Sequence, residues 1–373
     1  MKIIVGGGIS GLWLAAELKA RNIPCCVIEK SALGQGQTLA SQGMIHGGTK
    51  YALDGLLTKA ASEIGAMPSR WKQALSGQGT VDLRQVQLER SDQLLWSVES
   101  ITANLLGFFA SKAMRSRMER IDPTEEAAFD HPNFHGHLYR LTEPVLKLDT
   151  LIHAFSDLLD GQLFTAEVTE LMVENQMITG VETTAGSLKG DVILTAGEGT
   201  EALVSALDIE PPRMQRRPLA MAVCQLKEPI PPVFGHQLGT GSKPKLTVST
   251  HRVGESQFLY LGGQLAEDGV EQDDLTLCHR AERAVQEALG WLKPQIQSTH
   301  VFRINRAEPS TREGHRPDTA FVSKAHRLII AWPTKLALAP ALADQVIPLL
   351  DEECATVSLP AWPSAHVGGY PWV

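Results

Sequence analysis

A chain of 373 residues, 43% hydrophobic and 20% charged, is long enough to bury a large core and to divide into two or three structural units. The formal net charge of −8 argues against a dedicated nucleic-acid binder, and no apolar run reaches the about eighteen residues of a membrane span. The five cysteines (Cys25, Cys26, Cys224, Cys278 and Cys354) are scattered, which excludes a disulfide frame or metal knuckle and fits a reducing cytoplasm. Because the first predicted strand begins at Lys2, no leader is expected and the expected location is cytoplasmic.

Lys2-Ile3-Ile4-Val5 reads as a buried strand and feeds directly into Gly6-Gly7-Gly8-Ile9-Ser10-Gly11. In a G-x-G-x-x-G turn each glycine has its own duty. Gly6 permits the tight turn, Gly8 lets the backbone approach a pyrophosphate, and Gly11 lets the helix pack close to its strand. The helix follows as an apolar stripe of Leu12, Leu14, Ala15, Leu18 and Ala20, ended by Arg21-Asn22. Its first N–H groups and the positive end of its dipole suit a phosphate. Cys25–Ile28 is the second strand. Glu29 then lies at that strand's carboxyl end, where a carboxylate accepts both ribose hydroxyls and repels a 2′-phosphate. Strand, helix, strand and acid in register predict a dinucleotide site for FAD or NAD, not NADP.

The chain does not continue as a simple parallel sheet. Ser31–Lys50 is polar and glycine-rich, a helix is expected around Leu53–Met67, and residues 70–140 read as helix-rich, with a periodic run from Leu94 to Met118. Phe164–Val173, Met177–Thr184 and Gly186–Lys189, with corners at Asn175 and Gly186, predict a β-meander. Asp191–Gly197 is another buried strand. Further strands are expected at Leu219–Leu226, Lys245–Ser249, Phe258–Gly262 and Val301–Ile304, with a helix at Leu275–Leu292. Leu328–Trp332 reads as a strand and Lys335–Leu350 as an apolar helix with Pro340 near its start; the tail from Asp351 reads as irregular.

The predicted class is α/β: a Rossmann-like nucleotide domain in three pieces, 1–68, 146–215 and 301–350. Into it an α+β substrate domain with a mixed antiparallel sheet is inserted in two pieces, 69–145 and 216–300, and 351–373 is tail. The competing reading is an ordinary NAD-binding domain followed by a catalytic domain. It requires strands and helices alternating directly after Glu29, which the 31–50 segment and the late meander oppose.

These residues resemble the FAD-dependent oxidoreductases of the D-amino-acid oxidase and glycerol-3-phosphate dehydrogenase (DAO) superfamily. The match lies in Gly6–Gly11, Glu29-Lys30, the stretch Gln37–Gly48, Glu167-Val168-Thr169 and Leu194–Gly197. It is strongest over 1–51 and scattered but collinear to about residue 350. Ile45-His46-Gly47-Gly48 is most similar to enzymes of this group that oxidise a CH–OH carbon. The resemblance implies a small-molecule substrate and FAD as cofactor, held by Gly6, Gly8, Ile9, Ser10, Gly11, Glu29 and Lys30. It implies that Val168 pairs its backbone with the adenine and that Thr38, Ser41, Gln42, Gly43 and Met44 wrap the flavin. Ala196 and Gly197 belong to the same site. The resemblance further implies that the turn of Pro333, Thr334, Lys335 and Leu336 presents a helix N-terminus to the flavin C2 carbonyl, where hydride arrival at N5 leaves negative charge.

Two departures stand out. The family's glycine-rich turn before the last helix is here Trp332-Pro333-Thr334-Lys335-Leu336, so Lys335 either adds a positive charge beside the flavin or is solvated at the helix start. Where the family clamps a substrate carboxylate with arginine before proline, this chain has Arg306-Ala307-Glu308-Pro309. Arg306 takes over the clamp, or Glu308 selects a cationic substrate.

His46 is the leading candidate for proton transfer, since a neutral imidazole can take a proton as hydride leaves the neighbouring carbon. Its alternatives are a hydrogen bond to the flavin or a covalent link to it. Lys50 and Lys335 are the other catalytic candidates, Lys50 with Tyr51 at the substrate face; His251, Arg252 and Tyr260, on or next to predicted strands, either roof the isoalloxazine or are outward-facing strand residues. His131, His135 and His137 sit in a Pro- and Gly-bearing loop with no cysteine or acid within the motif itself, so no metal is expected. Leu105–Phe109 followed by Lys112, Arg115, Arg117 and Arg120 reads as a buried helix, with membrane contact and quinone reduction the alternative. The expected function is hydride transfer from a CH–OH carbon to flavin N5, with oxygen, a quinone or a carrier accepting the electrons. A CH–NH donor is the alternative, and a flavin-binding protein without catalysis is the reading of another class.

Overall fold

A computed structural model describes residues 1–47, 59–98, 118–205, 207, 212–239, 244–311, 317, 319–351 and 358–372. The run 105–109 with the cations at 112, 115 and 117, and the residues 48–58 that include Lys50 and Tyr51, lie outside the described residues.

The first sheet is built from distant pieces. Its order is β18 (Phe321–Ala325), β19 (Leu328–Trp332), β12 (Asp191–Leu194), β1 (Lys2–Val5), β2 (Cys25–Glu29) and β8 (Leu163–Thr165). All neighbours are parallel except β18, which turns back on β19. β1, β12 and β19 are buried along their whole length, as expected for parallel strands covered on both faces. On one face lie α1 (Ile9–Ala20), α2 (Lys59–Leu75), α3 (Leu148–Leu158) and α7 (Ala339–Val346). Residues 9–18 of α1 are buried on every side, and Trp13 packs on Trp71 of α2 with ring centroids 4.7 Å apart. The other face is covered by the expected meander, β9 (Val168–Glu174), β10 (Met177–Thr183) and β11 (Gly186–Lys189).

The second sheet runs β17 (Ile296–Pro309), β13 (Met214–Leu226), β16 (Ser256–Gly262), β15 (Leu246–Val253), β14 (Phe234–Gln237), β4 (Gln93–Val98), β6 (Gly136–Leu141) and β5 (Met118–Ile121). Only β14 and β4 are parallel. Helix α6 (Asp274–Leu289) packs on one face of it, after the short helices α4 (Thr200–Ser205) and α5 (Gln264–Asp268). A two-stranded ribbon, β3 (Leu88–Arg90) with β7 (Val145–Leu146), completes the strands described.

Residues 70–140 correct one expectation. Among the described residues of this span, which exclude 99–117, the strands β3, β4, β5 and β6 occur where helix is expected. Leu94, Leu95 and Trp96 are consecutive and all buried, and periodicity does not separate a strand buried on both faces from a buried helix. The boundary expected at residue 301 falls inside a single strand, since β17 stays in the second sheet from Ile296 to Pro309. The C-terminal apolar helix is shorter than expected. A 3-10 turn at Leu336–Leu338 precedes α7, Pro340 sits in its first turn, and a second 3-10 turn follows. The described tail has neither helix nor strand, yet it is fastened: Leu33 and Val367 form a parallel bridge, and Trp372 stacks near Tyr260 at 4.5 Å. The described cysteines Cys25, Cys26, Cys224 and Cys278 are free thiols.

One buried ion pair ties β1 to β12. Lys2 is 1% exposed and donates to Asp191 at 2.6 Å, while Arg327 bonds the other carboxylate oxygen at 2.6 Å. Burial pushes the Asp191 pKa up, but the bonds from Lys2 and Arg327 outweigh it and hold the carboxyl below its usual range. Asp191→Asn leaves Lys2 buried without its counter-charge, so it should cost about 3–5 kcal/mol in urea denaturation near neutral pH. The wild-type contribution is complete above the unfolded carboxyl value of about 3.9 and disappears as pH falls through the lower folded value. The gap between the two proteins should therefore close in acid.

Candidate cofactor and active site

The loop between β1 and α1 forms the floor of a cavity of about 610 Å³. Gly6 adopts φ +111°, and a Cβ there would stand 2.7 Å from the Ala196 Cα. Gly11 is tighter still, with its Cβ position 2.1 Å from the Gly6 carbonyl oxygen. Gly8 lines the cavity; within 4 Å a Cβ there would meet only Thr38 Oγ1. Gly8 is the N-cap of α1 and offers no side chain to cap it. Thr38 supplies a bond instead, its Oγ1 accepting from the Ile9 N–H at 3.1 Å. An open backbone cradle at a helix N-terminus with no acid in its first turn fits a diphosphate. Glu29 Oε2 accepts from Gly7 N at 2.7 Å and Oε1 from Ser31 N at 3.0 Å. Ser31 Oγ also donates to Oε1 at 3.1 Å, so of the about four acceptor positions on an ionised carboxylate one remains for a hydroxyl in the cavity that Glu29 lines.

Every residue named above for the cofactor lines this cavity, from Gly6 to Leu336, except Gly11, Gln42, Gly43 and Met44. Those four act behind the wall. Gln42 Nε2 donates to Tyr260 O at 2.9 Å and lies 3.3 Å from Ser249 Oγ, fixing the 31–47 segment to the second sheet. The Gly43 carbonyl accepts the Leu146 N–H at 2.9 Å; the residue sits at φ +69°, and a Cβ there would stand 2.3 Å from the Leu146 oxygen. Met44 is buried and bridges Val145. Tyr260 Oη donates to Ala40 O at 2.6 Å.

The ceiling is the edge of the second sheet, where Leu219, Ile304 and Arg306 line the cavity. Arg306 is partly exposed; its Nε donates to Arg217 O at 3.3 Å and its Nη1 lies 3.8 Å from Glu267. Glu308 does not reach the cavity: it is 1% exposed and paired with Arg217 at 3.2 Å. On the opposite wall Thr334, at φ +61°, bonds Thr319 O through its hydroxyl, and Lys335 follows as the extended residue before the 3-10 turn.

His46 is outside the cavity lining and 39% exposed. It has neighbours that the sequence does not announce. Its Nδ1 lies 3.8 Å from Oε2 of the fully buried Glu143, and its ring is 5.2 Å from that of His236. His236 is bonded to Thr247 Oγ1 at 2.8 Å and to Gln93 Oε1 at 3.3 Å. Burial, and secondarily His46, pull the His236 pKa down to about 3. The three loop histidines do not converge. His131 Nδ1 accepts from Asn133 N, and His137 on β6 meets Arg120 at 3.1 Å. Among the described residues no three His, Cys, Asp or Glu side chains come together, and no helix is long and apolar enough to cross a membrane.

A dinucleotide cavity floored by a Rossmann-type turn and roofed by a second, largely antiparallel sheet defines an FAD-dependent oxidoreductase. The chain belongs to the FAD dependent oxidoreductase (DAO) family, whose model matches residues 2–344. It is 41% identical over 355 residues to the probable FAD-dependent oxidoreductase PA4991 of Pseudomonas aeruginosa, covering 94% of this chain and 90% of that one. The crystal structure of PA4991 matches with a TM-score of 0.86 at 35% identity, over 100% of this chain and 96% of the other. Glycine oxidase from Geobacillus kaustophilus shares the fold, with a TM-score of 0.67 at 15% identity over 98% and 99% of the two chains. One component of the anaerobic glycerol-3-phosphate dehydrogenase of Haemophilus influenzae is 35% identical over 52 residues, 14% of this chain and 9% of that one.

Glu29→Ala removes both the loop bonds and the hydroxyl acceptor. Hydrogen bonds to a charged group are worth about 1.5–3 kcal/mol, so the FAD dissociation constant should rise roughly 10- to 100-fold. Fluorescence titration of apoprotein with FAD checks this.

Proposed function

We propose that the protein oxidises a small anionic molecule at a CH–OH carbon. Bound FAD supplies the two-electron acceptor, taking the hydride at N5. Gly6–Ser10 and the start of α1 hold the diphosphate, Glu29 the ribose, and the Val168 backbone the adenine. Lys335 and the 333–336 turn bring positive charge to the pyrimidine end of the flavin. Arg306 binds the acid group of the substrate, and His46 takes the hydroxyl proton.

The observation that carries an anionic substrate is the contrast between two neighbours on β17. Arg306 lines the cavity, whereas Glu308, the feature that would favour a cationic amine, is buried against Arg217. The alcohol donor is supported by the short match to a protein named for glycerol 3-phosphate, an anionic alcohol. Amine donors remain the competing arm of the test, and oxygen, a quinone or a carrier the candidate oxidants of the reduced enzyme.

Anaerobic mixing of the yellow protein with hydroxy acids, polyol phosphates, amines and amino acids should bleach the flavin fastest with an anionic alcohol. Bleaching by amines alone would overturn the alcohol reading, and no bleaching by any donor would point to a flavin-binding protein without this chemistry. With the best donor, His46→Asn should slow flavin reduction by about 10²–10⁴-fold, the usual worth of a general base.

A further inference from the structure

We propose that Glu143 is the positioning residue of His46, its buried carboxylate receiving the Nδ1–H so that Nε2 is the nitrogen left to accept the substrate proton. The inference rests on the proton-accepting role of His46 given above.

The case begins with an unsatisfied oxygen. Glu143 lies in the turn between β6 and β7 and is 0% exposed. Its Oε1 accepts the Gly47 N–H at 2.8 Å, while Oε2 is buried and has no hydrogen-bond partner among the described residues. A buried carboxylate oxygen left alone is costly. The ring nitrogen facing it is His46 Nδ1 at 3.8 Å, an ion-pair distance that a hydrogen bond shortens when a reactive complex forms.

The remaining described groups around His46 do not compete for that oxygen. His236 on β14 is bonded to Thr247 and Gln93, and burial keeps it neutral well below neutral pH. Gln93 on β4 points its amide to the Ile45 carbonyl at 3.4 Å. Lys72 of α2 donates to the Thr142 carbonyl, at the exposed side of the same turn. The Gly47 bond also fixes the carboxylate to the backbone one residue beyond His46, so imidazole and acid keep a set separation.

The pairing serves two purposes. A Glu-bound Nδ1–H fixes the tautomer, leaving the Nε2 lone pair outward. After proton transfer the carboxylate stabilises the imidazolium, the role of an acid behind a histidine base. The step balances: the substrate O–H bond breaks, its proton goes to Nε2 and its electron pair completes C=O, while the C–H pair leaves as hydride to FAD.

The test uses holoenzyme labelled with ¹⁵N-histidine, titrated by NMR as wild type, Glu143→Gln and His46→Asn, the last to assign the signal. In wild type His46 should show the Nδ1–H tautomer. In Glu143→Gln its titration midpoint should fall, the effect of removing an opposite charge at this range. The pH limb of anaerobic flavin reduction should move the same way, with the maximal rate down roughly 10- to 100-fold and FAD content unchanged. An Nε2–H tautomer in wild type, or an unmoved midpoint in Glu143→Gln, overturns the proposal. Should Glu143→Gln fail to fold, the wild-type tautomer decides alone. Full turnover by His46→Asn with a shifted midpoint in Glu143→Gln would remove the proton-accepting role and leave the pair standing.

Discussion

Three stretches of backbone meet at the Gly6–Gly11 turn with no room for a β-carbon, and the site depends on that approach. A Cβ on Gly11 would collide with the Gly6 carbonyl, and one on Gly6 with the backbone of Thr195 and Ala196 at the end of β12. The Thr195 hydroxyl completes the junction, lying 3.1 Å from both the Val5 and Gly6 oxygens. Because α1 is buried on every side, its direction is set by packing and not by a side-chain cap. Its N-terminus is thereby held at the cavity floor, where a diphosphate gains from oriented N–H groups that need no rearrangement.

The segment after Glu29 converts that floor into an enclosed site. It runs from the first sheet to the second and is fastened at each stage by bonds to distant chain. Thr38 accepts the Ile9 N–H, Tyr260 bonds Ala40, Gln42 reaches β15 and β16, and Gly43 and Ile45 pair with the 144–146 stretch. The cofactor-wrapping role expected for 38–44 is therefore divided. Thr38 and Ser41 line the cavity, while Gln42, Gly43 and Met44 tie the wrap to its supports. A segment rich in glycine and polar residues can follow such a path because its backbone groups find partners on two sheets instead of a ladder of its own.

What is legible in the sequence follows the range of the interactions. β1, α1, β2 and the meander are local, and their turn residues and periodicities place them, except that the expected first meander strand Phe164–Val173 divides into β8 of the first sheet and β9. The second sheet is not local. β14 escapes a sequence reading because Phe234-Gly235-His236-Gln237 is short, and its partner β4 lies about 140 positions earlier. Gly235 is needed there, since a Cβ would stand 1.9 Å from the Leu94 oxygen, but one glycine in a strand does not announce its partner. β4 passes for part of a helical run for a related reason: it is buried on both faces and shows no alternation. The same limit applies to the site. Gly6, Gly8 and Glu29 follow from a spacing, whereas Glu143 and His236 reach His46 only through tertiary pairing. The placement of Glu308 depends on Arg217 across the β13–β17 ladder, which no local pattern contains.

The second sheet also decides which charges act. On its cavity-facing side burial pulls His251 down to about 4, and raises the Tyr260 hydroxyl well above its ordinary value. Tyr260 is further shielded by Phe302 and Trp372, with ring centroids 5.9 and 4.5 Å away. His251 and Tyr260 therefore stay neutral near pH 7 within a buried aromatic cluster behind the cavity wall. Electrostatic effects strengthen where water and mobile dipoles are absent. Arg306, with its side chain 17% exposed, is therefore screened less than the same cation on an open surface. The tail adds to that burial through Trp372, which packs on both Tyr260 and Phe302.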